Sequence, residues 1–189
     1  MGLNKQIANL LFGDLKELKY QPIESGVRPN IEKEYFGRWG GTFDELRSRF
    51  LELKKNLNTF TPKHIATFKR VEDRDGSPIF EGERLWVSII GGMYAPIEIT
   101  ECQEDCFTIS TLEGHPEAGS ITFRIYEGST SQYFKIHSLA RNRNNFYKAA
   151  YVDFGMMDAV QTRMWVLYVA KFLDIDKTAV EVKSEMGGI

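Results

Sequence analysis

The run Met164-Trp-Val-Leu-Tyr-Val-Ala170, inside a helical segment from about 157 to 173, constrains this chain more than any other stretch. It is apolar on nearly every side of a helix, so it has no face to offer to water. The rest of the chain must therefore enclose it. A curved antiparallel sheet wrapped around one face is the natural enclosure, and the residues ahead of the helix have the period such a sheet needs.

From about residue 65 onward apolar residues recur at every second position. Ile65–Val71 reads as a strand, followed by an Asp75-Gly76 turn. Leu85, Val87 and Ile89 alternate with Trp86, Ser88 and Ile90. Ile97 with Ile99 and Phe107 with Ile109 mark two more strands. Ile121, Phe123 and Ile125 alternate with Thr122, Arg124 and Tyr126, and Phe134 and Ile136 with Tyr133, Lys135 and His137. Short connections between successive strands mean hairpins, hence an antiparallel meander.

Upstream the signals are helical. Thr42 and Glu45 have the spacing of a capping box, in which hydroxyl and carboxylate satisfy free N–H groups at a helix start. Phe43, Leu46, Phe50, Leu53 and Leu57 then line one face, with Lys54 and Lys55 off that seam. Asn4 is placed to cap an earlier helix with the stripe Ile7, Leu11, Leu15 and Leu18. Tyr20–Pro29 reads as irregular or briefly extended, and Gly37, Gly40 and Gly41 as a flexible entry around Trp39. Asp158 and Gln161 have capping-box spacing at the start of the last helix. The expectation is α+β: a meander around a long C-terminal helix, with two N-terminal helices.

Composition narrows the function classes. Twenty-four basic against 26 acidic residues leave a net charge of −2, too little for a global field toward nucleic acid or an anionic membrane. The stretch Arg141–Lys148 mixes bases with aromatics, but one short stretch makes nucleic acid an unlikely partner. No run approaches 18 apolar residues, so no membrane span is expected. Two cysteines, Cys102 and Cys106, fit a reducing compartment, and no secretory leader is visible; a cytoplasmic location is the expectation. Free thiols are the default for this pair. No metal-binding cluster, phosphate loop or nucleophile motif is present, so neither cofactor nor metal is expected. Aromatic residues make up 13%, enough for a thick core or a ring-lined cavity.

The segment Thr111-Leu-Glu-Gly-His-Pro-Glu-Ala-Gly119 joins two hairpin strands. Gly114 and Gly119 permit backbone angles denied to other residues, and Pro116 holds His115 extended. A rigid loop presenting one imidazole and one carboxylate, His115 and Glu117, is the result.

Here the chain resembles a family of bacteria and plants known as a domain of unknown function. Its hallmark is Thr-Leu-x-Gly-His-Pro-Glu-x-Gly, then a Phe, a strand ending in Ser-Arg, and a C-terminal helix with Gln and Arg. The matching residues are Thr111, Leu112, Gly114, His115, Pro116, Glu117, Gly119, Phe123, Arg141, Gln161 and Arg163, over roughly residues 40 to 173. Glu113, Ser120, Ala140 and Asn142 depart from the family's Pro, Glu, Ser and Pro. The resemblance implies the helix-grip class of steroid-transfer and pollen-allergen proteins, which hold apolar ligands between sheet and helix. It brings no activity with it. On this reading the chain is one domain, 1–189: an N-terminal helix and irregular extension to 40, a helix-grip-like core over 41–175, and a tail over 176–189.

Three function classes follow. The leading one is binding of a small apolar or amphipathic molecule, with Trp86, Phe123, Trp165 and Tyr168 lining a cavity of roughly 300 Å³ or more and Arg141 or His115 orienting a polar end. The rival is an enzyme with His115 as acid or base, Glu117 orienting it and Arg141 stabilising an anion. The third is a structural or interaction module. The bland reading of the loop is a hairpin clamp, imidazole on backbone and Glu117 on Arg124 or Arg141. The bland reading of the aromatics is plain core. Oligomeric state is not legible.

Overall fold

The structure, a computed structural model, describes residues 13–71, 74, 76–89, 93–148 and 156–187. Eight strands form a single sheet: β1 (Val27–Trp39), β2 (Ala66–Arg70), β3 (Arg84–Ile89), β4 (Met93–Cys102), β5 (Cys106–Thr111), β6 (Glu117–Glu127), β7 (Gln132–Asn142) and β8 (Glu181–Gly187). The helices are α1 (Phe43–Lys55), a single turn α2 (Asn145–Lys148) and α3 (Met156–Leu173). The sheet order is β2-β3-β4-β5-β6-β7-β1-β8, antiparallel at every pairing. Strands β2 to β7 are the expected meander, and β1 returns beside β7.

Alternation along each strand decides what faces α3. On β7, Phe134, Ile136, Ser138, Ala140 and Asn142 are buried while Tyr133, Lys135, His137, Leu139 and Arg141 are only partly so. Phe123 and Ile125 on β6, Phe107 and Ile109 on β5, and Ile97 and Ile99 on β4 complete the inner face. Charge ladders occupy the outer one: Lys135 donates to Glu34 at 2.7 Å, Nε2 of His137 lies 2.8 Å from Glu32, and Arg84 donates to Glu98 at 2.6 Å.

Helix α1 begins with the capping box, Thr42 accepting from the Glu45 N–H and Glu45 from the Thr42 N–H. Its Phe50 packs edge-on against Phe134 and Phe172, closing one end of the core. Arg49 donates to the carbonyl oxygens of Phe172 and Lys171, supplying partners for the exposed C-terminus of α3. Lys54, off the apolar seam, is nonetheless buried, because its ammonium caps the carbonyls of Gln103 and Glu104 at 2.8 and 3.2 Å.

Several expectations are corrected. Residues 13–18, expected to complete a first helix, form a turn closed by the Glu17 N–H to the Asp14 carbonyl. Leu15 packs there against Trp86 and Leu112. Residues 1–12 and Asp75, on which the rest of that helix and the Asp-Gly turn fall, lie outside the described residues. Tyr20–Gly26 is irregular apart from a short turn at Ile23–Ser25, but from Val27 to Trp39, across Gly37, the chain is the 13-residue strand β1, and the supposed tail contains β8. Asp158 and Gln161 stand inside α3 and do not cap it; both reach across to the sheet side. Asp158 pairs with Lys33, whose Nζ also donates to Thr162 at 2.8 Å. The two cysteines are free, and a bulge between Ile99 and Glu101 turns Cys102 to pair with Phe107 across the hairpin, away from Cys106.

Candidate functional site

Along the inner face of β7 the side chains shrink toward its end, from Phe134 and Ile136 to Ser138 and Ala140. Opposite them on β6 stands Gly119, with φ +151° and a position where an added Cβ would lie 2.2 Å from the Leu139 carbonyl oxygen. The C-terminal half of α3 packs tightly: Tyr168 and Phe172 pack edge-on against Phe60, and the Tyr168 hydroxyl donates to the Leu57 carbonyl at 3.3 Å. The N-terminal half faces the small residues, and a gap remains. Its volume is about 130 Å³.

Val87, Ile97, Ile109, Val160 and Met164 make most of its wall apolar. Trp165 closes it from the helix, its ring edge-on to Phe123 at 5.5 Å. The space is smaller than the roughly 300 Å³ expected of a drug-sized site. Interlocked rings beneath it take up the difference: Phe107 and Phe123 stack at 4.5 Å and Phe134 lies 4.0 Å from Phe172. A cavity of about 150 Å³ accepts a benzene ring, so this gap is of one-ring size.

The Thr111–Gly119 loop forms its rim, with His115, Pro116, Glu117 and Gly119 all lining it. Thr111 knits the loop to β6, its hydroxyl accepting from the Gly119 N–H at 3.0 Å. The segment before β1 straps it down. Gln21 is buried, and its amide donates to the carbonyls of His115 and Glu117 at 3.2 and 2.7 Å. The Arg143 N–H donates to the Pro116 carbonyl at 2.9 Å.

The residues lining the cavity include His115, Glu117, Asn142 and Trp165. The His115 ring is 9% exposed, and its Nδ1 lies 3.0 Å from both the backbone N–H and C=O of Glu117, so either tautomer finds a partner. Burial pushes its pKa down to about 4, opposed in part by that backbone contact, and the ring is neutral at pH 7. The Glu117 carboxylate accepts from the Gln161 amide at 3.1 and 3.2 Å. Asn142 is 1% exposed, and among the described residues neither its Nδ2 nor its Oδ1 has a hydrogen-bond partner. Trp165 Nε1 is buried and equally unpartnered. Unmatched buried polar atoms are uncommon because each costs about 1–3 kcal/mol.

Of the residues singled out in the sequence, His115, Glu117 and Trp165 line the cavity. Phe123 and Tyr168, fully buried, lie one layer beneath its wall. Trp86 faces the other side of the sheet, with Leu15 and Leu112. Arg141 also points outward, where its Nε donates to Asn30 Oδ1 at 2.6 Å; the alternation of β7 gives the inward place to Asn142. Glu117 meets His115 through its backbone, while its carboxylate turns to Gln161 and not to Arg124 or Arg141. Asn142, Ser138 and Gln161 were missed as site residues. The falling side-chain size along β7 was the available signal for Ser138, and its period-two register for Asn142. Among the described residues no three His, Cys, Asp or Glu side chains cluster to hold a metal, and no helix is long and apolar enough to cross a membrane.

An antiparallel sheet packed against a C-terminal helix, with an apolar gap between them, is the helix-grip architecture. Solved structures share the architecture at low identity. Norcoclaurine synthase from Thalictrum flavum, in complex with dopamine and hydroxybenzaldehyde, is similar over 81% of this chain and 91% of its own, with TM-score 0.51 and 15% identity. Ginseng major latex-like protein 151 from Panax ginseng is similar over 76% and 96%, TM-score 0.51, 18% identity. The di-domain aromatase/cyclase StfQ from the steffimycin biosynthetic pathway is similar over 82% of this chain and 52% of its own, TM-score 0.55, 9% identity. No curated protein matches the sequence. The chain belongs to the family described as a domain of unknown function (DUF1990), whose model matches residues 41–171.

Proposed function

We propose that the protein binds a small, mostly apolar molecule between the sheet and the N-terminal half of α3. The observation that carries this reading is the cavity itself: apolar walls from both layers, and lining residues whose buried polar atoms find no partner among the described residues. A core evolved for stability alone would fill such a gap or satisfy those atoms, since voids and unmatched amides both cost free energy. The helix-grip neighbours add support at the level of fold, one of them having been solved with two single-ring molecules.

The cavity's size sets the occupant at about one ring. At up to about 1 kcal/mol per heavy atom, a ligand of seven heavy atoms would bind with Kd of about 0.01–1 mM. His115, held neutral on the rim, would orient a polar substituent. Native mass spectrometry of freshly purified protein tests the reading. A co-purified small molecule that is lost on unfolding supports it. Apo protein alone, together with no thermal shift from millimolar toluene or phenol, would contradict it.

A further inference from the structure

The two edges of the sheet end differently. At one edge the Asn58 amide plugs the middle of β2, its Nδ2 donating to the Phe68 carbonyl at 2.8 Å and its Oδ1 accepting from the Phe68 N–H at 2.7 Å. The amide takes the place of a neighbouring strand. An unpaired edge is otherwise a template on which another chain can add. At the other edge β8 pairs, among the described residues, with β1 alone. All seven of its residues are exposed, Val182 at 42% and Met186 at 64%. This strand also lies beyond residues 41–171, the part of the chain that the family model matches.

The order of residues along β8, Glu181-Val-Lys-Ser-Glu-Met-Gly187, is complementary to itself when reversed about Ser184. Val182, Ser184 and Met186 share the inward register, opposite Tyr35, Lys33 and Ile31 of β1, and Lys183 and Glu185 share the outward one, opposite Glu34 and Glu32. A two-fold axis perpendicular to the sheet at Ser184 lays a second β8 antiparallel on the first. Lys183 of each copy then meets Glu185 of the other, and Val182 meets Met186. Moving the axis to Lys183 sets Lys183 against itself and Glu181 against Glu185; moving it to Glu185 sets that carboxylate against itself. Opposite charges directly across a strand pair stabilise it and like charges oppose it, so the Ser184 register wins. Within the chain the neighbouring acids are already engaged, Glu34 by Lys135 and Glu32 by His137. Glu185 stands beside Glu32, a like charge, and the Lys183 ammonium rests over the Phe36 ring at 5.1 Å. Both charges are better matched by a second copy than by their own.

We propose that the β8 edge is a self-association surface, on which two copies of the chain join their sheets by antiparallel β8–β8 pairing centred on Ser184. Backbone hydrogen bonds supply the attraction, and the Lys183–Glu185 and Val182–Met186 pairs fix the register. One strand on each side is a narrow contact, below the roughly 1,200 Å² of a stable complex, so the dimer is weak and reversible. No residue of β8 lines the cavity, and association leaves that site open.

Sedimentation equilibrium of the full chain at low salt, from about 10 µM to about 1 mM, covers the range of such weak complexes. The wild type dimerises within it. Lys183→Glu and Glu185→Lys each place like charges opposite one another across the two-fold, and each weakens self-association at least about 10-fold. An equimolar mixture of the two variants restores opposite charges at both pairs and associates within about 3-fold of the wild type. A wild type that stays monomeric throughout overturns the proposal. So does either variant associating as strongly as the wild type, which would put the contact elsewhere, and so does a mixture no tighter than its components. Should a variant not fold, amide NMR of the wild type on dilution decides by itself. Shifts centred on Glu181–Gly187 support the edge pairing, and shifts centred on any other surface, or none, overturn it.

Discussion

Acid should destabilise this protein through one identifiable ring. His115 is buried against the Glu117 backbone, and its pKa falls from an ordinary 6.5 to about 4 because burial penalises the charged form. In the unfolded chain the same ring takes up its proton near 6.5. Between those two values the unfolded state binds more protons than the folded one, so stability rises with pH across the window. The contribution is fully present above about 6.5 and is lost as pH falls toward 4. Linkage gives a loss of about 2 kcal/mol by pH 5 and about 3 kcal/mol by pH 4. His115→Asn keeps a donor and an acceptor where Nδ1 stood but does not titrate, and its lost ring packing costs a constant amount at every pH. Urea denaturation of both proteins at half-unit steps from pH 4 to 7.5 isolates the term, since all other titrating groups cancel in the difference. The wild-type advantage should shrink by about 3 kcal/mol from pH 7 to pH 4. Parallel stability curves would refute the reasoning, as would an NMR titration placing the folded His115 near 6.5.

Other perturbations follow from the same geometry. Gly119→Ala forces a Cβ against the Leu139 carbonyl at an unfavourable φ, and should cost about 2–4 kcal/mol by denaturant midpoint. Asn142→Leu in the ligand-free protein removes an unmatched buried amide and should raise stability by about 1 kcal/mol; a loss above about 1 kcal/mol would mean the amide has a partner. Asp158→Ala should cost more than Lys33→Met, about 3 against about 2 kcal/mol, because Lys33 is the buried member of the pair and Asp158 is 43% exposed. Thr42→Ala removes the α1 cap and should cost about 1 kcal/mol in thermal unfolding.

The meander and α3 were readable because burial left a period. From Leu85 to Ile109 and from Ile121 to Ile136 the inward positions are apolar, and the apolar stretch of α3 follows from its burial against the sheet and α1. Strand β1 was unreadable for the converse reason. Its inward positions are Ile31, Lys33, Tyr35 and Gly37: a lysine held by Asp158 on α3, and a glycine where a Cβ would meet Leu173 at 2.7 Å. Neither choice is visible until the helix is in place. Strand β8 is exposed at every residue and is held by backbone pairing to β1, so it carries no burial pattern at all. At the site, the rigid loop and its His115 were legible from Gly, Pro and spacing. The direction of Arg141 was not, because a single step along β7 exchanges the two faces of the sheet. The cavity's modest volume was equally hidden, since it depends on how Phe107, Phe123, Phe134 and Phe172 interlock in three dimensions.

The central claim is that room exists, and is used, between the sheet and the first turns of α3. Intermolecular NOEs from bound toluene to the methyl groups of the ¹³C-labelled protein test it most directly. The account predicts contacts to Val87, Ile97, Ile109 and Val160, side chains from three strands and α3 that line the cavity, and their loss in Ala140→Leu, which fills it. Saturable toluene binding with contacts confined to any other surface, or undiminished by Ala140→Leu, would contradict it.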